Sequence, residues 1–150
     1  VKLKHVRAWI KERQRLAKRY DQGLKDTPLM LPVTQPEKVS PFQANTHNTH
    51  VFHLYVVRHR ERDVIRKYLE KHGIETAIHY PVPIHLMPAY TSLGYKKGSF
   101  PVAEAACKTV FSLPLYPGLT DEEQGRIIHT IKAWFHALSS NPRRTTQTHH

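Results

Sequence analysis

Histidine and tyrosine gather around a short run of prolines: His79 and Tyr80 stand just before Pro81 and Pro83, and His85 and Tyr90 follow soon after. A histidine can donate from one ring nitrogen and accept on the other, and a tyrosine hydroxyl does both. A second histidine group, His47, His50 and His53, recurs at three-residue steps. In an extended strand that spacing alternates faces and could converge on a metal only in a loop or helix, so no metal is expected. Cys107 is the only cysteine. It forms no internal disulfide or thiolate cluster within one chain, and its apolar helical surroundings suit a core or half-buried thiol. A Ser/His/Asp hydrolase lacks support, because no G-x-S-x-G elbow occurs.

Apolar spacing predicts the elements that must position these residues. Leu3, Val6, Ile10, Ala17, Tyr20 and Leu24 recur at three- and four-residue steps, predicting a helix over residues 3–22 that Gly23 weakens. From Lys25 to Asn48 the chain holds four prolines and no periodicity, so a loop is expected, with room for one short strand. Val51 to Val57 (VFHLYVV) is β-branched and aromatic and predicts a strand. Val64, Ile65, Tyr68 and Leu69 predict a helix from about Arg60 to Lys71, with Gly73 in the left-handed position beyond it. Ile74 to Tyr80 alternates as a second strand that Pro81 and Pro83 stop.

Val102, Ala105, Ala106 and Val110 describe a further helix with Pro101 tolerated in its first turn, and Ser112 to Pro117 leaves it in extended form. Thr120 and Glu123 match a capping box ahead of Ile127, Ile131, Trp134 and Leu138, which predicts a last helix. The polar residues 139–150 lack an apolar anchor and are expected to be a disordered tail. Together these elements predict an α/β fold of the α+β two-layer kind: a small sheet with helices packed mainly on one face.

At 150 residues the chain suits one domain, of a size that buries roughly 70% of its unfolded-chain surface. No run approaches the length of about 18 apolar residues that a membrane helix needs, and the first residues lack the apolar stretch of a signal peptide. A cytoplasmic protein is therefore expected. The start at Val1 in place of Met is what a fragment or a processed product would give. With 23 Lys and Arg against 12 Asp and Glu, the net charge of +11 attracts anions in general. The basic residues crowd 2–19 and 58–71, where accompanying apolar stripes make them read as solvated helix faces. No zinc-finger spacing, RNP1-like strand or KH-type clamp accompanies them, so nucleic acid is not the expected partner.

The stretch from Gly73 to Pro117, GIETAIHYPVPIHLMPAYTSLGYKKGSFPVAEAACKTVFSLPLYP, has an order of His, Tyr, Pro and Gly that composition does not explain. With HVFHLYVVRHRERD (His50 to Asp63) it resembles the C-terminal portion of the DegT/DnrJ-type pyridoxal-phosphate sugar aminotransferases, which transaminate keto sugars carried on nucleotides. The likeness runs over residues 1–138. It implies the small domain of a fold-type-I aminotransferase. In that family a large N-terminal domain carries the Schiff-base lysine and the small domain closes over the site, usually in a homodimer. On this likeness the chain divides into a linking helix at 1–24, a proline-rich loop at 25–50, a small α/β core at 51–138 and the tail at 139–150.

Transamination of this kind needs a lysine amine, a carboxylate on the pyridine nitrogen and donors around the phosphate. The family motifs that supply them are not in this sequence, and lysines such as Lys96 and Lys97 read as solvated. No catalytic lysine is nominated. The expectation is a C-terminal domain or truncated form of a nucleotide-sugar aminotransferase that shapes the substrate pocket. Alone it would neither bind pyridoxal phosphate nor transaminate; its partners would be the missing large domain or a second copy.

In the family, the segment matching His79-Tyr80-Pro81 lies near sugar and cofactor. His79 and Tyr80 are therefore the implied substrate contacts, with His85 and Tyr90 as further candidates. The plainer reading has the first pair capping a strand end and packing beneath the prolines. A small domain without its partner is also expected to expose an apolar patch. The alternative from another class is a stand-alone basic binding module for anionic ligands or nucleic acid, marked by strongly salt-dependent binding.

Overall fold

Helices and strands follow one another as α1 (Val6–Leu24), β1 (Tyr55–Arg58), α2 (Arg62–Lys71), α3 (Pro101–Thr109), β2 (Val110–Leu113) and α4 (Asp121–Ser139) in a computed structural model. The structure describes residues 1–32 and 50–140. Most of the loop expected at 25–50, with His47, and nearly all of the tail expected at 139–150 lie outside the described residues.

β1 and β2 pair antiparallel with Tyr55 opposite Leu113 and Val57 opposite Phe111. Side chains alternate faces along a strand, so these four share one face, and all are buried. Isolated bridges extend the sheet on both sides, Met30 to Arg58 and Ala77 to Ser112. The Met30 bridge is the short extended piece for which the proline-rich loop left room. Leu16, Tyr20 and Leu24 of α1, Ile65 and Leu69 of α2, and Ile127 and Ile131 of α4 join the buried sheet face in one core, to which α3 contributes nothing. Full burial of a side chain of this kind stabilises by about 1.5–3 kcal/mol. The result is the expected two-layer α/β arrangement, with helices mainly on one face.

Helix α1 runs close to its expected span after a short 3-10 turn at Lys2–His5. Its apolar stripe is used unevenly: Leu3 is exposed, whereas Ala17, Tyr20 and Leu24 are buried. Gly23 lies inside the helix and serves packing. A Cβ there would come within 2.8 Å of the Ile128 side chain, so the bare glycine lets α1 approach α4 closely. Polar contacts fix the same seam. Gln124 Nε2 donates to the Leu16 carbonyl at 2.7 Å, and Arg15 and Arg19 reach Asp121 at 2.8 and 2.9 Å.

Strand β1 begins at Tyr55, later than the expected Val51. Buried Phe52 has φ 49°, and its N–H donates to His50 Nδ1 at 3.0 Å. A bulky residue in the left-handed region turns the chain out of extended form, so pairing starts only beyond it. Helix α2 ends as the sequence predicts. Gly73, at φ 70°, donates to Glu70 O and Ile74 to Leu69 O, both at 2.9 Å, which is the Schellman arrangement with Leu69 and Ile74 in apolar contact range of one core.

The strand expected at Ile74–Tyr80 does not form; only Ala77 pairs, exchanging both backbone hydrogen bonds with Ser112. In an antiparallel ladder the next such exchange would fall two residues along, between Glu75 and position 114. Pro114 has no N–H to give. The segments therefore part after one rung. Nor does α3 reach Val110, which is extended (φ −78°, ψ 145°) and opens β2 opposite Arg58. The expected apolar face of α3 is inverted: Val102 is 79% exposed, and the one buried residue of the helix is Glu104.

Helix α4 has the expected capping box, with Glu123 N donating to Thr120 Oγ1 at 3.1 Å and Thr120 N to Glu123 Oε2 at 2.8 Å. Cys107 is half-buried. Among the described residues no helix is long and apolar enough to cross a membrane.

Candidate functional site

Where residues 73–77 and 113–116 part, they open a cleft of about 580 Å³, completed by Leu119, Glu123, Arg126 and Ile127 from the start of α4 and the turn before it. Pro114, which has no N–H for a further rung, lines this cleft. Arg66 holds one wall, donating from Nε to Thr76 Oγ1 at 2.9 Å and from Nη2 to Thr76 O at 3.0 Å. Arg126 ties α4 to the same wall through the His72 carbonyl. Arg62 likewise donates to Cys107 O at 2.6 Å and binds the end of α3 to α2. Within the basic run 58–71, then, Arg62 and Arg66 are structural, while Arg60, Lys67 and Lys71 are solvated as expected.

His79 lines the cleft, its Nδ1 3.0 Å from Ser112 Oγ. Ser112 projects from β2 on the sheet face opposite the core, so the strand's alternation aims its hydroxyl at the ring. The neighbouring Tyr80 packs edge-on against His79 and is 69% exposed. His85 and Tyr90 do not line the cleft. They sit in a lobe of residues 78–100 that leaves the sheet after the Ala77 bridge and includes 3-10 turns at Ile84–Leu86 and Pro88–Leu93.

Tyr90 is exposed, whereas His85 is packed away with Nε2 3.1 Å from Glu104 Oε1. Burial pushes the Glu104 carboxyl up, yet donors from Gly98, His85 and Phe100 outweigh it and hold it below the ordinary carboxylate value. The structure therefore divides the sequence-derived candidates: His79 is on the cleft, Tyr80 on its exposed flank, and His85 and Tyr90 in the lobe.

Ser112, Arg126 and Glu104 were not singled out from the sequence as site residues. Only Glu104 left a signal, a lone carboxylate between Val102-Ala103 and Ala105-Ala106. Among the described residues no three of His, Cys, Asp and Glu are grouped to hold a metal.

The pattern of the DegT/DnrJ/EryC1/StrS aminotransferase family matches residues 1–132. The chain belongs to this family. It is 42% identical over 134 residues to the erythromycin biosynthesis sensory transduction protein EryC1 of Saccharopolyspora erythraea, a match covering 89% of this chain and 34% of that protein. It is 38% identical over 135 residues to the dTDP-3-amino-3,4,6-trideoxy-alpha-D-glucose transaminase of Streptomyces venezuelae, covering 89% of this chain and 33% of that enzyme. The crystal structure of S. venezuelae DesV in complex with a ketimine intermediate superposes with a TM-score of 0.77 at 39% identity, over 88% of this chain and 33% of that one. A DegT/DnrJ/EryC1/StrS aminotransferase from Brucella abortus gives a TM-score of 0.76 at 29% identity, over 89% of this chain and 33% of that one. The chain spans about a third of the length of the curated relatives it matches.

Pyridoxal phosphate, the cofactor of the family, needs a lysine amine held where it can be deprotonated, which requires burial or a cationic neighbour. Among the described residues no lysine lines the cleft, and each lysine is exposed. The described residues of this DegT/DnrJ family member do not fit the cofactor as a Schiff-base site. What they supply is a shaped wall with an oriented histidine.

Proposed function

We propose that the chain is the C-terminal small-domain portion of a pyridoxal-phosphate-dependent nucleotide-sugar aminotransferase, which shapes the substrate pocket and does not transaminate alone. The observation that carries this reading is the position of His79: it is fixed by Ser112 at the mouth of a cleft and followed directly by a projecting lobe whose large apolar side chains face solvent. Tyr80, Ile84 and Leu93 of the lobe, and Val102 at the start of α3, are each at least 60% exposed. Surface of that kind suits contact with another body, here the large domain or a second copy of the chain. The relatives named as dTDP-sugar transaminases give the substrate class, a keto sugar on a nucleotide.

In this reading His79 and Tyr80 bind sugar hydroxyls, and His85 and Tyr90 act as further contacts within the lobe. Residues 1–24 link to the large domain and 51–138 form the small-domain core. The cofactor belongs to the large domain and supplies the electron sink, while this chain orients the sugar and excludes water. The assembly works in the cytoplasm.

The test is complementation. The lysine-bearing remainder of the S. venezuelae transaminase is produced separately and mixed with this chain, pyridoxal phosphate and a dTDP-linked keto sugar. Restored amino transfer, weakened by His79→Ala, is the expected result. No transfer from two folded components counts against the reading. A saturable aldimine band in this chain alone, fixed by borohydride to one lysine, would overturn it.

A further inference from the structure

Between Ile74 and Glu104 no residue is fully buried, so the lobe has no apolar core of its own. Its backbone is irregular apart from the two short 3-10 turns. Something else must hold it in one shape. The contacts converge on a single atom, Glu104 Oε1, which accepts from His85 Nε2 at 3.1 Å, from Gly98 N at 2.7 Å and from Phe100 N at 3.4 Å. Gly98, at φ 94°, adopts a conformation that a side chain would strain, and this turns its N–H onto the carboxylate. The Phe100 ring then stands edge-on to both His85, at 4.8 Å between centroids, and Tyr95, at 5.0 Å. One carboxylate on the first turns of α3 thereby joins both ends of the lobe to a regular element.

We propose that Glu104 is a positioning residue: it clasps the lobe and fixes His85 with its proton on Nε2, leaving Nδ1 as the nitrogen that meets a ligand hydroxyl. An ionised carboxylate accepts hydrogen bonds and donates none. Nε2 therefore carries the proton that faces the carboxylate, and in the neutral ring Nδ1 is the acceptor nitrogen. No described residue takes Nδ1 as a hydrogen-bond partner. The hydroxyl-bearing ligand rests on the sugar-binding reading above. The clasp and the tautomer do not, and they can be measured without substrate or transfer.

The experiment is 15N NMR of the histidine rings in the full chain, together with amide hydrogen exchange, for wild type, Glu104→Gln and Glu104→Ala. In wild type the His85 ring is expected in the Nε2–H form. In Glu104→Ala, Gly98 and Phe100 are expected to lose protection by about tenfold or more while Val57 and Phe111 in the sheet keep theirs. Glu104→Gln keeps the size and an acceptor oxygen but also brings a donor, so the His85 signals are expected to move toward mixed tautomers in a folded protein. A purely structural Glu104 would leave that ratio unchanged in the glutamine variant. An Nδ1–H ring in wild type, or unaltered His85 signals in Glu104→Gln, overturns the proposal even if the alanine variant fails to fold. Failed complementation with an Nε2–H ring overturns the sugar-binding reading and leaves the clasp standing.

Discussion

The Tyr55 hydroxyl donates to Asp21 Oδ1 at 2.6 Å, tying the first residue of β1 to α1 across the edge of the core. Tyr20, one residue before Asp21, sends its own hydroxyl to the Pro114 carbonyl at 2.8 Å, and the two tyrosine rings lie 4.8 Å apart between centroids. Burial, and then the Asp21 carboxylate, push the Tyr55 hydroxyl well above its ordinary pKa, so it remains a donor at any working pH. Together these contacts lock α1 onto the sheet next to the proline that lines the cleft.

Removing that donor tests the link. Tyr55→Phe is expected to cost about 1.5–3 kcal/mol, the range for a hydrogen bond to a charged partner. Urea unfolding should show a lower midpoint with an unchanged slope. An unchanged midpoint would mean that Asp21 is satisfied by water and that the contact is incidental.

The capping box gives a second expectation. Thr120→Ala removes the acceptor of the Glu123 N–H and is expected to cost about 1 kcal/mol. Hydrogen bonds from Thr120 hold the Glu123 carboxyl below its ordinary value. Its stabilisation is therefore present above the unfolded carboxylate range and lost as pH falls through the folded value. Thermal unfolding of wild type and Thr120→Ala should draw closer without meeting as the solution becomes acidic enough to protonate Glu123, because only the bond from Thr120 Oγ1 to the carboxylate titrates while that from the Glu123 N–H does not.

His59 sets a different pH response. Its ring stands edge-on to Trp134 and Phe135, and burial, the largest influence, draws its pKa below the ordinary 6.5. The folded state thus prefers the neutral ring. Stability from this residue is complete above the unfolded value and falls as pH drops below about 6.5, because the unfolded chain binds the proton more readily. His59→Gln should flatten stability between about pH 5 and 7. An equally steep slope in that variant would assign the response to another group.

The approach of α1 to α4 can be tested by adding an atom. Gly23→Ala raises helix propensity by about 1 kcal/mol, but its Cβ meets Ile128 Cδ1 at 2.8 Å and Cγ2 at 2.9 Å. Overpacking of this kind costs about 1–3 kcal/mol, so the single variant is expected to be less stable. In an Ile128→Ala background both obstructing atoms are gone and the same change should stabilise. Stabilisation in both backgrounds would show that the helices shift apart without cost, and destabilisation in both would show that Ile128 is not the obstacle.

Local signals in the sequence reached their targets where neighbours in the chain decide the outcome. The Thr120–Glu123 box and the Gly73 helix end depend on residues three to five apart, and the structure places both as expected. The β-branched run at 51–57 announced a strand, but its start was set by the left-handed Phe52. His79, taken from a family resemblance, does line the cleft, whereas Ser112, which orients it, lies 33 positions away and had no local mark.

By itself the sequence determined that the four helices exist, the Thr120–Glu123 box, the Gly73 helix end, the two-layer class and the family, because apolar period, capping chemistry and a specific order of His, Tyr, Pro and Gly are properties of adjacent residues. Only tertiary structure decided that Ala77 would pair with Ser112 for a single rung and that Glu75 and Pro114 would line a cleft beyond it. It also decided that Glu104 would be the buried residue of α3, gathering donors from positions 85, 98 and 100. Both depend on which backbone groups meet across the fold, and a missing N–H or a shared carboxylate matters only once its partner has been brought to it.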